Sequence, residues 1–224
     1  AALIGILVGQ GDIEVDAPAP VPEWHDMGDP RAAITVRHLL NMSSGLDFEN
    51  FGLDQPQSWS LANEHFCIYF DALNVFEHAI EQPLEIPPGS RFRYRNSDPL
   101  TLGRIIRRTV ESRGEDYLTF PYRALFNRIG ARHFLLETDP YGNFIMTGYD
   151  FGSSWDWLRF GLLHLWDGAW EGERILPEGW VDLVRTPAPG DPEQGYGGLF
   201  WLNRGGALDR VPEERKVKNA RMGL

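Results

Sequence analysis

Residues 87–106 read PPGSRFRYRNSDPLTLGRII. Two prolines and a glycine open the stretch and predict a turn. From Arg91 to Arg95 the residues alternate between arginine and aromatic. That period of two predicts a short strand, with Phe92 and Tyr94 on one face and Arg91, Arg93 and Arg95 on the other. Ser97 is placed to cap a helix whose first turn holds Pro99. Leu100, Leu102, Ile105, Ile106, Thr109 and Val110 then recur at helical spacing as an inner face, and Gly114 ends it. Tyr94, Arg95 and Asn96 therefore sit where a strand hands over to a capped helix.

Reading outward, ITVRHLLNMSSGL (34–46) offers Thr35 as a cap, Val36 to Met42 as a short helix and Ser43-Ser44-Gly45 as its stop. DALNVFEHAIE (71–81) has apolar residues at helical spacing and ends before Pro83. PYRALFNRIG (121–130) is bounded by Pro121 and Gly130 and reads as a further helix. Residues 132–148 read as two short strands around the turn DPYGN. Ser154 is a candidate cap for the apolar WDWLRFGLLHLWDG, and ILPEGWVDLVRTP (175–187) enters another helix at Pro177. GYGGLFWLNR (195–204) reads as a strand. Helices with strands at long intervals predict an α+β arrangement, a mainly helical domain packed on a small sheet.

Composition narrows the function. The formal net charge is −11, from 21 basic and 32 acidic residues. Nucleic-acid binders need a basic patch, so nucleic acid is an unsuitable partner. No apolar run in the chain reaches the roughly 20 residues of a membrane span. Cys67 is the only cysteine, which rules out an internal disulfide and a Cys-based zinc site. Its apolar surroundings, HFCIYF, predict a buried small hydrophobe. Nineteen of the basic residues are Arg; the two lysines are Lys216 and Lys218. Residues 1–215 thus hold no amine side chain for chemistry. The acidic, proline-containing segment from Asp12 to Asp29 predicts a solvated surface rather than a metal site.

Several groups invite a chemical reading. A phenol ionises near pH 10, about three units above neutrality, so Tyr94 serves as a base only beside a cation that stabilises phenolate. Strand alternation directs Arg93 and Arg95 away from it, so that cation has to come from elsewhere. Asn96 can donate to a carbonyl and accept from an amide N–H, which suits it to orienting an amide substrate. The plainer alternative makes Tyr94 a half-buried strand aromatic and Asn96 a turn or cap residue. Glu77, His78 and Glu81 lie close on one helix, but no second pair completes a metal site, so they read as surface helix charges. No metal or organic cofactor is implied. His164 reads as a core or boundary residue. Trp155, Trp157, Trp166, Trp170 and Trp180 fall within 26 residues and would suit a carbohydrate-binding surface. Yet Trp157, Phe160, Leu163 and Trp166 are near helical spacing, which predicts core. Gly195-Tyr196-Gly197-Gly198 precedes a strand rather than opening a helix, so it does not read as a nucleotide loop.

The ordered set of segments resembles one family. ITVRHLLNMSSGLDF, PPGSRFRYRNSDPLTLGRII, SSWDWLRFGLLHLWDGAWEGERILPEGWV and GYGGLFWLN are each similar to a segment of the serine β-lactamase and penicillin-binding-protein-like hydrolases, in the same order. That family includes class C β-lactamases, DD-peptidases and 6-aminohexanoate-dimer hydrolase. The resemblance covers most of residues 1–205 and implies a β-lactamase/DD-peptidase-like fold, here as the helical domain with part of the flanking antiparallel sheet. It divides the chain into a partial domain, 1–207, and a polar tail, 208–224, which holds both lysines.

The resemblance also assigns roles. Tyr94 and Asn96 match the family's Tyr-x-Asn element: Tyr94 the catalytic acid and base, Asn96 the residue that orients the acyl amide. The family's nucleophilic Ser-x-x-Lys lies at the start of a buried helix that continues much like AALIGILVGQG (1–11), so it is expected about two helical turns before Ala1. No Lys-Thr-Gly or His-Thr-Gly strand triplet follows Leu208. The expectation is a fragment of a serine hydrolase acting through an acyl-enzyme on a small amide, ester or D-amino-acid peptide. By itself it is expected to be catalytically silent and of marginal stability. The alternative is a non-catalytic binding protein for cell-wall peptide or glycan, using the same cleft or the Trp-rich face; a chain with no function is a third.

Overall fold

A computed structural model describes residues 1–47 and 64–202. The expected tail, 208–224, with Lys216 and Lys218, lies outside the described residues. The chain opens with α1 (Ala2–Gly9), in which Ala2, Ile4, Gly5, Ile6 and Leu7 are all buried. An eight-residue helix with so little polar surface has to be covered on several sides. Part of that cover is Trp180: a Cβ on Gly5 would fall 2.5 Å from its indole ring, so the close approach depends on glycine.

Thr35 caps α2 (Val36–Leu40) as the sequence predicts. Its hydroxyl accepts from the His38 N–H, and the His38 ring answers at the Thr35 N–H. After α3 (Glu64–Phe70), the Asn74 side chain caps α4 (Val75–Ile80) by accepting from Glu77 N–H. The long helix α5 (Ser97–Ser112) packs against α1, α2 and α4. Its Leu100, Leu102, Ile105, Ile106 and Val110 are buried, as their spacing predicts. Arg104 on its outer side pairs with both Glu23 and Glu77, which accounts for Glu77 as a helix-surface charge.

PYRALFNRIG forms a single widened turn over Tyr122–Phe126 rather than a regular helix. β1 (Leu135–Leu136) and β2 (Asp150–Phe151) pair antiparallel with Leu135 opposite Phe151. Within the loop they enclose, Asp139 accepts from the N–H groups of Tyr141 and Asn143 and from Val75 at the head of α4. The helix α6 (Ser154–Leu165) is capped by Ser153, not Ser154: the Ser153 hydroxyl and the Asp156 carboxylate form a reciprocal pair across the first turn. β3 (Ala169–Trp170) and β4 (Glu173–Arg174) form a second hairpin, followed by α7 (Trp180–Val184). The described part of the stretch, GYGGLFWL (195–202), is not one strand but a tight hairpin, β5 (Tyr196–Gly197) and β6 (Phe200–Trp201). Gly198 makes that turn with φ +46°, and a Cβ there would lie 2.4 Å from Val184 Cα. One cluster of buried side chains runs from α1 to α7 and gives the described residues a shared core. The α+β arrangement stands, with the sheet component among the described residues reduced to three two-stranded ladders.

Three further expectations need correction. Residues 91–95 are extended but do not form a strand. Their N–H groups go to different neighbours, Phe92 to Gly190 O (3.3 Å) and Arg93 to Met42 O (3.0 Å), so no ladder develops. Ser97 is the first helical residue of α5 and Asn96 stands at the cap position, with no side-chain capping bond. Of the predicted core stripe on α6, Leu163 is fully buried, while Trp157 and Trp166 are 43% and 49% exposed, so half of that face is open.

Candidate active site

The stretch that precedes α5 is pinned on three sides. Gly89 donates to Ser43 O (2.7 Å) and Arg93 to Met42 O, which lays residues 87–93 along the end of α2. Glu85 and Ile86 both donate to Gly45 O. Gly45 has φ +82°, and a Cβ on it would meet the Ile86 carbonyl at 2.1 Å. Glycine at that position satisfies both the left-handed backbone and the close approach. The third anchor is the β5–β6 hairpin, tied to α2 through Gly198 N–H and Asn41 Oδ1 (3.3 Å).

Tyr94 lies against this hairpin. Its ring stacks on Trp201, with centroids 5.3 Å apart and planes at 25°, and meets the edge of Tyr196 at 5.9 Å. Phe92 packs on Tyr196 from the neighbouring position, at 5.0 Å. Tyr94 is half-buried and Trp201 is 69% exposed, so the phenol sits at the rim of the cluster. Asn96 is 3% exposed at the foot of α5. Its Nδ2 donates to the hydroxyl of Tyr69, on α3, at 3.4 Å. Tyr69 in turn donates to Thr147 Oγ1 at 2.8 Å and packs on Tyr149. Tyr94 and Asn96, two residues apart, thus have different surroundings, Tyr94 at the β5–β6 hairpin and Asn96 beside Tyr69 and Thr147, which the sequence reading had not singled out.

Arg95 points into the core, against the alternation argument. Its side chain is fully buried, donates to Leu46 O and Arg93 O, and keeps one guanidinium nitrogen without a hydrogen-bond partner. Burial lowers its pKa, opposed by the Asp98 charge. Asp98 is equally buried. It accepts from Ser44 Oγ (2.5 Å), Ser44 N–H (3.3 Å) and Ser97 Oγ (3.3 Å). Desolvation pushes its carboxyl up from 3.8 to about 6, only partly offset by Arg95 and the serine hydroxyls. The two side chains join the Ser43-Ser44-Gly45-Leu46 corner to the first turn of α5.

Other candidates fall elsewhere. Cys67 on α3 is half-buried, not core. His164 is a boundary residue: its Nδ1 lies 2.9 Å from Phe160 O, and burial depresses its pKa. Among the described residues no three His, Cys, Asp or Glu side chains converge on one point. Among the same residues no helix is long and apolar enough to cross a membrane.

The Beta-lactamase family model matches residues 1–210. No curated protein matches at the level of sequence. Solved structures do match in fold. A protein assigned as a β-lactamase from Bacteroides dorei DSM 17855 aligns with TM-score 0.64 and 21% identity, over 88% of this chain and 60% of its own. One assigned as a 6-aminohexanoate-dimer hydrolase from Bacillus anthracis gives 0.63 and 20%, over 84% and 51%. The D-amino acid amidase from Ochrobactrum anthropi SV3 gives 0.53 and 21%, over 83% and 56%. The chain spans between half and three fifths of the length of these relatives. With its extent matched almost from end to end by one family, the chain belongs to the Beta-lactamase family.

Proposed function

We propose that this chain carries part of the catalytic edge of a serine hydrolase that works through an acyl-enzyme on a small amide, ester or D-amino-acid peptide. The observation that carries the reading is the Tyr94–Asn96 pair at the head of α5, with Tyr94 at the rim of an aromatic cluster and Asn96 held by Tyr69. In this reading a serine hydroxyl attacks the acyl carbon while its proton passes to a base. The C–N or C–O bond of the substrate then breaks, and the proton moves to the leaving group. Tyr94 is the group that gives and takes that proton. Its phenolate needs a cation, and residues 1–215 have no lysine, so the Ser-x-x-Lys pair is assigned to the segment preceding Ala1. Asn96 orients the acyl amide of the substrate. Family membership and a likeness in fold to an amidase and an amide-dimer hydrolase support this substrate range.

The test is acylation of the full gene product by a fluorophosphonate or a fluorescent penicillin, with mass mapping of the adduct. The expected result is one labelled serine upstream of Ala1, and no label on the 224-residue chain alone. Stoichiometric labelling of a serine within residues 1–224 would overturn the assignment. A second reading, a non-catalytic glycan-binding face, is favoured by the exposure of Trp155 (70%), Trp157 and Trp166. A glycan pull-down that depends on Trp170 but not on Tyr94 would select it.

A further inference from the structure

We infer that Ser44, Arg95 and Asp98 are positioning residues: with Leu46 they close a ring of hydrogen bonds that fixes the backbone carrying Tyr94 and Asn96. The catalytic half of this inference rests on the hydrolase reading. The ring can be followed bond by bond. The Arg95 guanidinium donates to Leu46 O. The Leu46 N–H donates to Ser44 Oγ at 3.3 Å, which leaves the serine its own hydrogen to give. That hydrogen goes to the Asp98 carboxylate, with Oγ 2.5 Å from Oδ1, and the Ser44 N–H reaches Oδ2 at 3.3 Å. From Asp98 the chain returns through Ser97 and Asn96 to Arg95. A smaller ring closes over Tyr94: Arg95 Nε donates to Arg93 O at 3.3 Å, and the Arg93 N–H is itself held by Met42 O at 3.0 Å. Tyr94 and Asn96 flank the one side chain that both rings share. Stability does not account for this arrangement. Ser44, Arg95 and Asp98 are all fully buried, and desolvation works against the charge on Arg95 and on Asp98. Well-packed apolar side chains in place of buried charges are often neutral or stabilising. What the charged set supplies is direction. A guanidinium tied to two backbone carbonyls holds its own backbone in one place, and productive geometry has to be kept within about 0.5 Å.

A ring fails wherever it is cut, which separates it from a set of independent contacts. Ser44→Ala and Arg95→Met cut it at different bonds. The measurement is acylation of the full gene product by a fluorophosphonate, read as a limiting rate and a half-saturating concentration. Each single variant is expected to lower the limiting rate by about 10–10²-fold, the effect of a displacement of about 1 Å, with the half-saturating concentration nearly unchanged. The double variant should be no slower than the slower of the two, because residues that act as a unit lose their effect together. Losses that multiply in the double variant would overturn the inference. So would variants that melt earlier but keep the wild-type limiting rate. Ser44→Ala removes a single hydroxyl and carries the rate test if Arg95→Met does not fold. A readout independent of turnover is the indole N–H resonance of Trp201, which stacks on Tyr94, identified through Trp201→Phe. Cutting the ring should shift it, through the displaced Tyr94 ring; an unmoved signal in Ser44→Ala would overturn the positioning of Tyr94. A wild-type protein that the fluorophosphonate does not label, while this signal still responds to Ser44→Ala, would sink the hydrolase reading and leave the ring standing.

Discussion

Asp98 shows how much one side chain can load onto a short segment. It is fully buried beside Arg95 and accepts from Ser44 and Ser97. Its carboxyl is pushed up to about 6, so the folded chain binds this proton more tightly than the unfolded chain does. The resulting stabilisation is complete below about pH 4 and is lost as pH rises through about 6. A gap of that size corresponds to about 3 kcal/mol. Asp98→Asn removes the titration. Urea unfolding between pH 4 and 7.5 should therefore show the variant gaining on wild type as pH rises, by up to about 3 kcal/mol. Parallel pH profiles would contradict the burial argument. Tyr94→Phe is the complementary case: the ring keeps its stacking on Trp201 while the hydroxyl is lost. Acylation of the full gene product should fall by about 10²–10⁴, with the melting temperature nearly unchanged; an unchanged acylation rate would remove Tyr94 from the chemistry. Tyr94 and Asn96 were singled out by their place before α5 and by the family resemblance, and their roles are the proposal made above. The burial of Arg95 was not legible, because alternation assigns faces only within a ladder, and here the backbone bonds go to Met42 and Gly190 instead.

Among the elements, α5 is the one its sequence specifies most fully. Its apolar period, its early proline and its glycine stop at Gly114 agree, and the described helix follows them. Gly103 lies inside it for a reason that spacing does not reveal. A Cβ there would come within 2.6 Å of the Phe76 ring on α4 and 2.9 Å of Met146 Cγ. Gly103→Ala gains about 1 kcal/mol of helix propensity but overpacks the α4–α5 contact, typically by about 1–3 kcal/mol. The net expectation is destabilisation by about 1 kcal/mol, read from chemical denaturation; a stabilised variant would mean that Phe76 moves aside freely. The caps divide in the same way. Thr35 and the start of its helix were predicted correctly, while the helix stops at Leu40, two residues short of the expected Met42, whose φ is +48°. Ser153 was missed by one residue, because two adjacent serines are equivalent in sequence and the Asp156 carboxylate chooses between them by reaching back to Ser153. The β5–β6 turn was missed because Gly197-Gly198 was read as part of a strand, whereas the approach of Val184 and the positive φ make it a corner.

At the scale of the whole molecule, one buried cluster extends from α1 to α7. Beside it the surface stays apolar where β1, β2 and the start of α6 meet. Leu135, Phe151, Trp155, Trp157 and Leu158 are between 43% and 70% exposed there. Trp157 also lines a hollow of about 190 Å³ together with Phe126, Phe134, Phe144 and Phe160. Contiguous apolar surface of this kind drives association in a soluble chain. The 224-residue chain alone should self-associate with rising concentration and bind a hydrophobic dye; a sharp, reversible thermal transition of a monomer would count against this.

The central claim is that Tyr94 and Asn96 serve a serine that forms an acyl-enzyme. Sequencing the coding locus upstream of Ala1 tests it most directly. The account predicts an in-frame Ser-x-x-Lys about two helical turns before Ala1, on the continuation of α1. A start codon immediately before Ala1 would leave Tyr94 without a nucleophile or a cation, and would contradict it.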